Sequence, residues 1–207
     1  MKITPRSIAK KILQAVGLHA PLMAFLTRRK FWKLQKARED SIMGFKRRFK
    51  YDTFIETGTY HGDMVEAMKT RFKRIYSIEL GDDLYTKACE RFRGDKHIHL
   101  LHGDSAAVLP QVLRDLHEPA IFWLDAHDSG GDTARGSVIT PIESELEALL
   151  QHSIKNHVIL IDDARDFTGR GGYPTVAAIE KLACRYGYLF EMKNDNLRIY
   201  PRTPIYP

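Results

Sequence analysis

Six acids and one histidine recur at matching places in this chain: Glu56, Glu79, Asp104, Asp125, Asp162 and Asp163, with His127 two residues beyond Asp125. Each acid ends or follows a short apolar run, in "TFIET", "RIYSIEL", "IHLLHGD", "AIFWLDA" and "HVILIDDA". One acid at such a place is ordinary, because acids are common in turns and at helix N-caps. Acids at the ends of all five runs form one shared rim if those runs are strands of one sheet. Carboxylates there accept hydrogen bonds from hydroxyls, attract a cationic group and repel phosphate. A histidine, with an unperturbed pKa of about 6.5, accepts a proton near neutrality.

The first of these acids stands in "FIETGTYHGD", residues 54–63, where Gly58 and Gly62 flank Tyr60. Two glycines after a strand-like run predict a tight turn with something close to the backbone. The dinucleotide pattern GxGxxG would set a pyrophosphate on a helix N-terminus. This stretch lacks that pattern and places Glu56 two residues before the first glycine, where it suits a cationic or amine-bearing ligand. Glu79 is placed to accept two ribose hydroxyls, and Asp104 and Ser105 to meet an adenine edge. A nucleoside with a positive, amine-bearing tail and no phosphate is S-adenosylmethionine.

The elements that must position these residues alternate regularly from residue 51. Strand-like "TFIET" is followed by helical "GDMVEAMKTRF", "RIYSIEL" by "DDLYTKACERF", and "IHLLHG" by "SAAVLPQVLRDL", where Pro110 is expected to kink or divide the helix. "AIFWLDA" leads through a long polar loop to "PIESELEALL", and "HVILIDDA" leads to "TVAAIEKLACRYG". Thr140, Pro141 and Glu143 predict a capped helix start. "YLFEMK" and "LRIYPR", joined by "NDN", read as an antiparallel hairpin. Five strand–helix units predict an α/β fold, a doubly wound parallel sheet with helices on both faces. Ligands bind such sheets beyond the carboxyl ends of the strands, where the acids lie.

Charge divides the 207 residues. Residues 1–50 hold 14 Lys and Arg against 2 Asp and Glu, a net of +12, and the remainder 18 against 24, a net of −6. A basic helical arm, 1–50, is therefore expected ahead of a ligand-binding domain, 51–207. Cys89 and Cys184 form no CxxC pair, which argues against a disulfide scaffold or zinc site and suits the cytoplasm. The apolar stretch "AVGLHAPLMAFL" is too short to span a bilayer and lacks a signal-peptide cleavage pattern.

Residues 51–202 resemble the class I S-adenosylmethionine-dependent methyltransferases. "ETGTYHG" is similar to the first motif E-x-G-x-x-x-G, in the tyrosine form of the catechol O-methyltransferase group, with Glu79 and "GDS" (Gly103, Asp104, Ser105) at the next two positions. The resemblance implies a Rossmann-like seven-stranded sheet of order 3-2-1-4-5-7-6, with strand 7 antiparallel. Glu56, Gly58, Tyr60, Gly62, Glu79, Asp104 and Ser105 would then line the cofactor. It also implies a divalent cation such as Mg²⁺ on Asp125, Asp162 and Asp163, the last standing where the group has Asn. The group's lysine base falls at Asp128, so His127 becomes the candidate base, with a metal-ligand or structural role as its alternatives.

The expected activity is methyl transfer to a hydroxyl-bearing small molecule, a sugar or a phenol. The non-enzymatic rival is a nucleoside-binding module that docks through its basic arm, and the enzymatic rival is a nicotinamide-dependent oxidoreductase. The arm itself has three readings: helices that pack on the domain, attachment to an anionic membrane surface, and nucleic-acid binding, ranked last because an acidic rim repels phosphates. Residues 128–140 and 166–174 are glycine-rich loops expected on the ligand side. Arg135, Arg165 and Arg170 there either meet an acidic substrate group or stand as solvated surface residues.

Overall fold

The computed structural model describes residues 19–126 and 140–203, with side chains described from residue 32 onward. Helix α1 spans His19–Phe49. There follow β1 (Thr53–Thr57), α2 (Asp63–Met68), β2 (Arg74–Glu79), α3 (Asp82–Arg91), β3 (Ile98–His102), α4 (Ser105–Arg114) and β4 (Ile121–Leu124). Beyond residue 140 come α5 (Ile142–Gln151), β5 (Val158–Ile161), a 3₁₀ turn (Ala164–Asp166), α6 (Val176–Arg185), β6 (Leu189–Lys193) and β7 (Asn196–Tyr200).

The seven strands form one sheet in the order β3-β2-β1-β4-β5-β7-β6. β1 to β5 pair in parallel, while β7 runs antiparallel to β5 and β6. The strand order expected from the resemblance is therefore observed. It reverses between β1 and β4, the switch point at which doubly wound sheets open a crevice. Parallel register sets Glu56 opposite Ser77 and Glu79 opposite His102, so from β1 outward each strand-end acid lies two residues further along its strand than the one before.

Both sheet faces are covered, which explains why β4 and β5 read as continuous apolar runs rather than alternating ones. On one face Ile55, Phe122, Leu124, Ile159 and Ile161 pack with Leu109, Leu146, Leu149 and Ile179 of the helices. On the other, Phe54, Ile75, Ile121, Trp123 and Leu160 pack with Val65, Met68 and Phe92, and with Ile42, Phe45 and Phe49 of α1. Each fully buried side chain of this size contributes about 1.5–3 kcal/mol, which holds the strand ends in fixed places.

Contacts divide the chain into two units, Met1–Asp40 and Ser41–Pro207. In the first, α1 carries ion pairs from Lys36 to Glu39 and to Asp40, and Trp32 is 64% exposed. In the second, the Ser41–Phe49 part of α1 is core. Pro110 does not divide α4, which is continuous over Ser105–Arg114. A proline six positions into a helix removes one backbone hydrogen bond, and burial of Leu109, Val112 and Leu113 offsets that loss.

Candidate cofactor and metal site

After β1 the chain turns through Gly58, at φ +86°, whose N–H donates to the Ile78 carbonyl at 2.9 Å. A Cβ on Gly58 would stand 2.5 Å from the Asp125 carbonyl oxygen. One on Gly62, at φ +78°, would stand 2.7 Å from the Phe92 ring. The close approach that these glycines permit is thus made by the chain itself: β1 meets the end of β4, and the start of α2 meets Phe92. Between them Tyr60 takes the left-handed conformation at φ +49°, leaving its ring half exposed and against His61.

Glu79 fixes this turn. Its carboxylate accepts the Tyr60 N–H at 2.7 Å on one oxygen and the Gly81 N–H at 2.8 Å on the other. An ionised carboxylate offers about four lone-pair sites, so these bonds leave acceptor capacity for two hydroxyls. Asp104 caps α4 by accepting from Ala106 N at 3.0 Å, with Ser105 buried beside it. The capping role that any turn acid can have is therefore realised at Asp104.

Glu56 is fully buried. Its Oε1 accepts from Ser77 Oγ at 2.6 Å, and Ser77 Oγ also meets Thr59 Oγ1 at 2.6 Å. Its Oε2 has no hydrogen-bond partner among the described residues. Burial pushes the Glu56 carboxyl up to about 8; the Ser77 bond opposes this, and Asp125 and Glu79 add to it. At neutral pH Glu56 therefore holds a proton, which an incoming cationic group would displace.

Asp125, Asp162 and Asp163 come together after β4 and β5, with one carboxylate oxygen of each within 4.8 Å of the others. Successive residues of a strand point to opposite sides. Asp163 instead adopts φ +52°, which brings its carboxylate to the side of Asp162. Three carboxylates at the ends of two adjacent strands suit a hard divalent cation with oxygen ligands, so the donor set fits the ion that the resemblance implies. Asp163 also has a partner in the chain. Arg165 Nη2 lies 2.8 Å from Asp163 Oδ1, and Arg165 Nη1 pairs with Asp195. His127 lies outside the described residues.

The structure brings Glu56, Gly58, Tyr60, Gly62, Glu79 and Asp125 to the carboxyl ends of β1, β2 and β4, with Asp104 and Ser105 after β3. Sequence reasoning missed Ser77 and Thr59, which hold Glu56, and Asp195, which holds Arg165. A serine inside the otherwise apolar "IYSIEL" was the available signal for Ser77. Asp195 sits in the hairpin turn, where an acid is unremarkable.

No protein-family model matches the chain, and no curated protein matches it in sequence. Solved structures match its fold. The N-methyltransferase NodS from Bradyrhizobium japonicum WM9 aligns with a TM-score of 0.56 at 12% identity, over 84% of this chain and 98% of that one. The SAH-bound methyltransferase PaMTH1 of Podospora anserina aligns at 0.55 and 17% identity, over 80% and 78%. A putative caffeoyl-CoA O-methyltransferase from Staphylococcus aureus aligns at 0.53 and 13% identity, over 93% and 99%. The fold is that of the class I S-adenosylmethionine-dependent methyltransferases.

Proposed function

We propose that this chain is an S-adenosylmethionine-dependent methyltransferase that acts on an oxygen of a hydroxyl-bearing small molecule, such as a sugar or a phenol. One observation carries the reading: in a sheet of this order, Glu79 holds the glycine turn and keeps acceptor capacity for a ribose. When bound, S-adenosylmethionine supplies a methyl group on a sulfonium, open to in-line displacement. Glu79 would accept the ribose hydroxyls, Tyr60 would offer its exposed ring beside them, and Asp104 and Ser105 would meet the base edge. Glu56, at the switch point, would give up its proton and face the cationic tail. Fixing acceptor and methyl in line supplies rate through proximity and orientation.

Asp125, Asp162 and Asp163 are the residues that would hold a divalent cation, which lowers the pKa of an acceptor hydroxyl. His127 is the proposed base for the acceptor's proton. Calorimetric titration with S-adenosylmethionine, S-adenosylhomocysteine and NAD tests the central reading. The first two should bind, and Glu79→Ala should weaken them by about 1.5–3 kcal/mol, the scale of hydrogen bonds to a charged group. Binding of NAD alone would overturn it.

The proposed location is the cytoplasmic face of an anionic membrane, reached through the basic arm. Trp32 and Lys33 are exposed on α1, and exposed Lys36 stands one turn beyond Trp32. An aromatic ring among cations suits a lipid headgroup layer. No helix among the described residues is long and apolar enough to cross a membrane. The chain has two tryptophans, and Trp123 is already 2% exposed, so a change in emission reports Trp32. Vesicles containing phosphatidylglycerol should shift emission to the blue at low salt, and neutral phosphatidylcholine vesicles should not. An unchanged spectrum with both would remove the membrane from the reading.

A further inference from the structure

Arg165 was expected either to meet an acidic substrate group or to stand as a solvated surface residue. It is neither solvated alone nor loosely placed. Its side chain is 59% exposed, yet both ends of the guanidinium are engaged, by Asp163 at 2.8 Å and by Asp195. Its backbone N–H donates to Asp195 Oδ1 at 2.9 Å, and the neighbouring Ala164 N–H donates to the Asp195 carbonyl at 2.9 Å. The β6–β7 turn therefore grips the backbone and the side chain of the same residue. Asp195 and its neighbour Asn194 are both left-handed, at φ +59° and +54°. The adjoining Asn196 is buried and donates from Nδ2 to the Ile161 carbonyl at 2.7 Å, which seats the turn on the end of β5.

The tethered guanidinium reaches one of the three carboxylates that would bind a divalent cation. An arginine fork and a metal ion compete for the same carboxylate lone pairs, and each repels the other's charge. The geometry points to Arg165 as a tethered gate on the carboxylate cluster, an in-chain cation that holds Asp163 and that a divalent metal must displace or accommodate. The gate rests on the proposed divalent-cation reading of Asp125, Asp162 and Asp163. It makes this site weaker and more selective for divalent ions than three carboxylates alone, and it keeps one positive charge at the cluster when none is bound.

The test is Mn²⁺ binding to the full chain without cofactor, followed by the loss of the free-ion electron paramagnetic resonance signal and by calorimetry. Arg165→Gln should bind Mn²⁺ more tightly than wild type, by up to about fivefold, the scale set by a partly exposed ion pair. Arg170→Gln removes an exposed arginine in the next loop and should leave the affinity unchanged, which separates direct competition from general charge. Arg165→Lys, which keeps the charge and loses the fork, should fall between wild type and Arg165→Gln, and it serves alone if the glutamine variant fails to fold. Equal Mn²⁺ affinity in wild type and both Arg165 variants would overturn the gate and leave the metal site standing. Equal tightening by Arg165→Gln and Arg170→Gln would also overturn the gate. Absence of Mn²⁺ binding in all four proteins would overturn the gate and the metal reading together.

Discussion

The two ends of the sheet treat buried polar groups in opposite ways. At the amino end, where β4 and β5 begin, His157 Nδ1 accepts from Ala120 N at 3.2 Å, and its Nε2 meets His152 Nδ1 at 3.0 Å. Because Nδ1 accepts, His157 carries its proton on Nε2 and donates it to His152. Tyr51 donates to the Asn156 carbonyl at 2.8 Å, and the Asn156 N–H donates to Tyr188 Oη at 3.1 Å. The groups there are neutral and answer one another. Burial, with His152 alongside, pushes the His157 imidazole down to about 3, so it stays uncharged. At the carboxyl end the groups are acids: Glu56 keeps its proton only because burial forces it to, and of the three clustered aspartates Asp163 is held by the Arg165 guanidinium. The first end is a finished structural network, while the second is arranged around charge that a ligand would bring.

Titration separates the two ends. Glu56 has a folded pKa of about 8 against an ordinary 4.5. The unfolded chain loses this proton near pH 4.5 and the folded chain keeps it, so native stability is lost as pH rises from 4.5 through 8. At about 1.4 kcal/mol per unit, the gap between Glu56→Gln and wild type should move in the variant's favour by about 4 kcal/mol between pH 4.5 and 8.5. Urea unfolding across that range measures it. A gap that does not change with pH would mean that the carboxyl end is as settled as the amino end.

His157→Ala probes the other side with a smaller effect. It removes a packed ring and strands the Ala120 N–H, at a cost of about 3 kcal/mol at pH 7. Wild-type His157 has a folded pKa below its unfolded value, so its contribution is present above pH 6.5 and is lost as pH falls toward 3. The variant should have a flatter acid limb in the same unfolding series, and its affinity for S-adenosylhomocysteine should match wild type. Loss of that affinity would couple the two ends and erase the contrast.

The alternation of short apolar runs with helices is local information, so the element order was legible in the sequence, and the acids at the run ends marked the functional edge. What could not be read depends on register. Ser77 faces Glu56 only because β1 and β2 pair in that alignment. Arg165 meets Asp195 only because β7 returns beside β5. The basic charge ends at Lys50, whereas, among the described side chains, the buried residues of α1 begin at Ser41. Ile42, Phe45 and Phe49 share a helical face whose burial the charge count hides.

The place of β7 has a consequence for a chain still being made. It is the last strand in sequence, yet it lies inside the sheet between β5 and β6. Asn196, whose side chain seats the hairpin turn on β5, is 35 positions after Ile161. At about 5–20 residues per second, the ribosome delivers that contact roughly 2–7 s after β5. Throughout that interval β5 is an open edge, a template for any passing strand, and Asp163 and Arg165 wait without Asp195. A stalled or shortened nascent chain would therefore carry an unpaired, strongly apolar strand next to an acid cluster lacking its tether. A chaperone that recognises exposed strands would find its target there.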